Sequence, residues 1–148
     1  MDEFEGLIAE LQALGPADFD LGNESSAGWG RLGEVCDRLV DHFDIQAFAP
    51  PLFAFLERLD GSDIGAPGPV VHALESAGPL HLPYLWESMR RKPTALGAWM
   101  VNRVLNTNPP DAGRWLDLLA SVDGHSKASE SAVNEAQEFL RYQRSKGR

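Results

Sequence analysis

Apolar residues recur along this chain at three- and four-residue spacings, the period of an amphipathic helix. Phe4, Leu7, Ile8, Leu11 and Leu14 form a first stripe, opened by Asp2 and Glu5 at capping-box spacing and stopped by Gly15-Pro16. Leu32, Val35, Cys36, Leu39, Val40 and Phe43 form the cleanest stripe, which predicts a second helix from about Arg31 to Asp44. Ala95, Leu96, Ala98, Trp99, Met100, Val101, Val104 and Leu105 are apolar around most of a helical circumference, as in a helix buried on several sides. Gly97 inside that segment lowers helix propensity and predicts a neighbour crossing closely there. The last helix, about Ser129 to Arg144, offers Val133, Ala136, Phe139 and Leu140 to the core, with Arg141, Arg144 and Lys146 at the negative end of its dipole. No stretch alternates apolar and polar residues for the length of a strand, apart from short pieces such as Leu80 to Leu85. The fold class is all-α.

Proline punctuates the second half. Pro51, Pro79 and Pro109 each stand where a helix would begin, the place where a missing N–H is harmless. Second starts fall between and after them, at Pro67-Gly68-Pro69, at Pro93-Thr94 and at Ser126 to Ser131. A helical hairpin recurring about every thirty residues predicts about eight helices in stacked hairpins of the HEAT-like kind. An irregular bundle remains the alternative. The 148 residues suffice for one core, so residues 1–148 are expected to form a single helical domain. Two connections are long, Gly15 to Gly30 and Asp60 to Gly68, and loops of that length are functional or mobile.

Charge changes the picture. The chain holds 22 acidic and 13 basic residues, a net of −9, which disfavours nucleic acid and anionic membranes as partners and favours a basic protein. The imbalance is local. Residues 1–75 carry 15 acids and 3 bases, a net of −12, while residues 76–148 carry 7 acids and 10 bases, a net of +3. Glu34, Asp37, Asp41 and Asp44 fall on one helical face at i, i+3, i+7 and i+10, where like charges weaken a helix. They read either as a solvated face or as a surface for a cationic partner. In the second case Asp18, Asp20 and Glu24 of the preceding loop extend the surface, and Trp29 is its anchor. Trp29 also reads as an apolar plug before the helix. Trp86, Trp99 and Trp115 lie at core spacing.

Catalytic chemistry is not visible. His42, His72, His81 and His125 have no spacing of metal ligands, and Cys36 lies on an apolar stripe, as a small core residue does. No strand precedes a glycine-rich phosphate loop. No enzyme, metal or cofactor is expected. A single cysteine fits a reducing cytoplasm, and the acidic Met1-Asp2-Glu3-Phe4-Glu5 differs from the basic start of a signal peptide. The longest apolar run, Ile45 to Leu56, is about half a membrane span and contains Pro50-Pro51.

The stretch from Leu80 to Asn108 contains Arg91-Lys92-Pro93 and Trp99-Met100-Val101-Asn102-Arg103. In these residues the chain resembles the small, acidic, all-helical immunity proteins that accompany bacterial polymorphic toxins in contact-dependent inhibition, Rhs and type VI effector systems. The likeness covers about a fifth of the chain. Its matched residues look structural: Lys92 to Thr94 starts a helix, and Arg103 with Asn102 or Asn106 ties a helix end to a neighbouring loop. The resemblance implies a non-enzymatic protein that binds and neutralises a cognate toxin domain. The alternative is a HEAT-like adaptor joining two other proteins.

Overall fold

The computed structural model describes residues 2–20, 27–65 and 67–148, and every regular element in them is a helix. There are eight α-helices among the described residues: α1 Glu3–Ala13, α2 Gly28–His42, α3 Ile45–Arg58, α4 Gly68–Glu75, α5 Leu82–Arg91, α6 Ala95–Asn106, α7 Ala112–Ala120 and α8 Glu130–Ser145. Two short 3-10 turns, Pro16–Phe19 and Gly78–His81, lie between them. None of these helices is long and apolar enough to cross a membrane. The elements gather into two compact units, Met1–Leu82 and Pro83–Arg148.

Helix starts follow from local chemistry. The Asp2 carboxylate accepts from the Glu5 N–H at 2.7 Å, the Thr94 hydroxyl from Gly97 at 2.8 Å, and the Ser129 hydroxyl from Ala132 at 3.0 Å. Each satisfies one of the N–H groups that a first turn leaves without a partner. At the other end of α1, Arg58 donates to the Leu14 carbonyl at 2.8 Å and the Leu11 carbonyl at 3.1 Å, so α3 closes the last turn of α1.

Two expectations are corrected. Pro51 does not open a helix. α3 starts at Ile45 and runs through Pro50 and Pro51, because Phe48, Ala49, Leu52, Phe53, Phe55 and Leu56 are all buried along it. Burial on both sides of the prolines outweighs the two missing donors. α2 is displaced towards the N-terminus, starting at Gly28 and ending at His42. The chain is extended at Phe43 and Asp44, so Asp44 does not belong to α2 and stands just before α3, meeting its first turn through the backbone carbonyl and not the side chain. Gly28 allows the early start, since a Cβ there would stand 2.4 Å from the Asp18 carbonyl oxygen. Of the two packings that the sequence left open, a regular stack of hairpins and an irregular bundle, the structure has the second. α2 packs most extensively on α4, and α6 on α8, so in each unit the dominant pair skips an element. Each unit is an irregular helical bundle.

In the second unit α6 is central, packed on both α7 and α8. Ala98, Met100, Val101 and Leu105 are buried on it, and Gly97 admits the Met89 sulfur, which would lie 2.5 Å from an added Cβ. Trp115 is 5% exposed and belongs to the core. Trp86 and Trp99 are only half-buried. Arg114 lies 4.4 Å above the Trp86 ring and Arg103 lies 4.9 Å above Trp99. Gln143 on α8 is fully buried. Its amide donates to the side-chain oxygens of Asn102 at 2.6 Å and Asn106 at 2.9 Å, and its own oxygen accepts from Arg148 at 2.6 Å. Asn102 and Asn106 thus tie α6 to another helix, through Gln143 of α8, where the sequence pointed to a neighbouring loop.

Candidate functional site

The acidic side chains of the first unit are held by three elements. Glu34, Asp37 and Asp41 are exposed on α2, whose opposite face buries Leu32, Val35, Cys36 and Leu39. Apolar spacing orients the helix, and the acids are the residues left facing outward. Asp44, exposed as well, continues their row from the α2–α3 joint. Among the described residues, none of these four side chains takes part in an ion pair or a side-chain hydrogen bond. Arg38, exposed on the same helix one turn from Glu34 and Asp41, offsets only part of their negative field.

The loop residues are placed differently. Asp18 is used within the fold: one carboxylate oxygen accepts from the Gly15 N–H at 2.8 Å, and the other pairs with Arg31 at 3.1 Å. Asp20 is exposed just after the first 3-10 turn, where it lines a shallow hollow with Asp63. Glu24 lies outside the described residues. Trp29 is half-buried in the first turn of α2, edge-on to Phe19 at 5.6 Å. Its indole N–H donates to the Asp63 carbonyl at 3.1 Å. Phe19 in turn meets Phe55 edge-on at 6.1 Å. Trp29 thus braces α2 against the 3-10 turn and the loop after α3, with the smaller part of its surface left exposed.

Packing of α2 against α4 creates a feature that periodicity does not reveal. A groove of about 660 Å³ runs between them, with Asp37 and Asp41 on the α2 wall and His72 on the α4 wall. Val40, Pro69 and Ala73 supply apolar lining, and Cys36 is at the base. Burial, and secondarily the Asp37 carboxylate, pushes the Cys36 thiol up to about 12, so it stays protonated as a small apolar side chain. A second hollow of about 490 Å³ at the α2–α3 joint shares Val40 and Asp41 and brings in Asp44. Among the described residues, no three histidine, cysteine or carboxylate side chains converge as metal ligands. The placement of His72 beside Asp37 and Asp41 depends on a contact across more than thirty residues, which no local spacing announces. The α2 face and its groove form a surface suited to a cationic partner. No protein-family model, no curated protein and no solved structure matches this chain.

Proposed function

We propose that this protein is an immunity protein, which neutralises a basic toxin domain by binding it through the α2 face and covering or locking its active site. The observation that carries the reading is the row Glu34, Asp37, Asp41 and Asp44, exposed and, among the described residues, without ion-pair partners, in a region of net charge −12. Like charges a turn apart destabilise the helix that carries them, so a row of this kind is a cost to folding that a cationic partner offsets. The likeness of Leu80 to Asn108 to immunity proteins supplies the class of partner. The adaptor alternative has no regular hairpin stack within either unit to rest on.

The test is a triple reversal, Asp37→Lys, Asp41→Lys and Asp44→Lys, in a protein whose fold is checked by circular dichroism. Against the toxin domain encoded beside it, association is expected to slow by about tenfold or more at low salt and to lose most of its salt dependence. Protection of growth during toxin expression should fall in parallel. A triple variant that associates and protects like the parent protein rules out this face as the interface.

A further inference from the structure

We infer that the groove between α2 and α4 is a receptor for a single arginine side chain presented by the partner. The inference rests on the reading of α2 as the partner-binding face and specifies how that face is engaged. Three features select the occupant. Asp37 and Asp41 are one helical turn apart on the same wall, which sets their side chains about 5–6 Å from one another at the Cβ atoms, a separation that a guanidinium fork bridges. Val40, Pro69 and Ala73 offer the apolar lining along which the three methylenes of an arginine stem lie. On the far wall His72 offers a ring against which a planar cation stacks.

Other occupants fit less well. Two carboxylates repel an anion. A metal ion has no converging set of ligands among the described residues. A lysine ammonium can donate to both carboxylates, but as a compact, strongly hydrated point charge it lacks the planar fork that spans them and lies flat along the histidine ring. The protonated Cys36 thiol keeps the base of the groove uncharged, so the negative potential is concentrated at the mouth, where the guanidinium sits.

The probes are N-acetyl-arginine amide and N-acetyl-lysine amide, titrated into the whole protein labelled with nitrogen-15. Arginine amide should give saturating shifts confined to residues 36–41 and 68–76, with lysine amide several-fold weaker. The pair Asp37→Asn and Asp41→Asn should weaken arginine amide by about tenfold, the loss that accompanies one charge-assisted hydrogen-bonded pair. The charge-matched control, Glu34→Gln with Asp44→Asn, should change it less than twofold, because neither residue lines this groove. Non-saturating shifts spread over all acidic residues, or equal weakening by both double variants, would overturn the inference. The two readings fail separately. A protein that holds arginine amide in the groove but gives no protection from the toxin refutes only the immunity reading. One that protects but shows no shifts in the groove refutes only the arginine receptor.

Discussion

Residues 83–148 keep several of their cations on rings or in hydrogen-bond networks, whereas residues 1–82 leave a row of acids standing in solvent. In the second unit Arg103 covers Trp99, Arg114 covers Trp86, Lys146 covers Tyr142 at 4.8 Å, and Arg148 bonds the Gln143 oxygen, the Leu105 carbonyl and the Asn108 side chain. The first unit has few cations and directs two of them away from α2's exposed acids. Arg31 pairs with Asp18, and Arg58 closes α1 while lying 5.5 Å from the Phe55 ring. Charge in the second unit thus helps to hold its own helices together. The exposed acids of α2, by contrast, make no ion pair or side-chain hydrogen bond among the described residues, and that difference is what motivates reading their face as a binding surface.

The comparison is tested most strongly inside the second unit. Trp115→Ala should destabilise the protein by about 3–5 kcal/mol, the usual loss on emptying a buried aromatic site. Trp99→Ala should cost only about 1–2 kcal/mol, since it removes a half-buried ring and one cation–π contact. Denaturant unfolding of the two variants checks this. Equal losses would mean that the ring under Arg103 is part of the core.

Gln143→Leu comes next. The change keeps the volume but leaves the oxygens of Asn102 and Asn106 and the Arg148 guanidinium without their shared partner. A loss of about 1–3 kcal/mol is expected from the unsatisfied groups. If Gln143→Leu is as stable as the parent protein, the α6–α8 contact is held by its apolar side chains alone.

Much of this was legible in the sequence where the cause is local. Asp2, Thr94 and Ser129 are read as caps because each bonds within its own first turn, and the α6 stripe is read as core because its period is unambiguous. Pro50-Pro51 misled because a proline rule describes the backbone only, while the burial of Phe48, Leu52 and Phe55 decides the outcome. Asp44 fell in helical register by spacing, yet the extended backbone at Phe43 removes it from α2. The acidic row was visible, but the groove was not. No pattern within α2 announces which helix packs against it, and His72 reaches the site only through that packing. Gln143 was hidden for the same reason: a glutamine near a helix end carries no sign of burial until its partners on α6 are placed.

Cys36 sharpens the account of the first unit. Its thiol is raised from an ordinary value near 9 to about 12 in the folded protein, chiefly by burial. A folded value above the unfolded one contributes stability below pH 9, and that contribution is lost as the pH rises towards 12. At pH 8 a thiol reagent should therefore label native Cys36 at least about tenfold more slowly than the unfolded chain, because both thiolate formation and access are suppressed. Rapid native labelling would show that the base of the groove is open to solvent.

The smallest expected effect carries the comparison's sign. Asp41 lies in the last turn of α2, where its carboxylate opposes the negative end of the helix dipole and repels Asp37 one turn earlier. Asp41→Asn keeps the size and removes both conflicts, so it should stabilise the protein by about 0.3–1 kcal/mol. Glu130 lies in the first turn of α8, where a carboxylate meets the positive end of the dipole. Glu130→Gln removes the same charge from the other unit and should lose a few tenths of a kcal/mol. Urea midpoints at low ionic strength, with unchanged denaturant slope, measure both, and about 1 M salt should shrink both by screening. Opposite signs would confirm that α2 carries its acids against its own stability. If Asp41→Asn also destabilises, the carboxylate contributes to the folded state, and its exposure no longer argues for a partner.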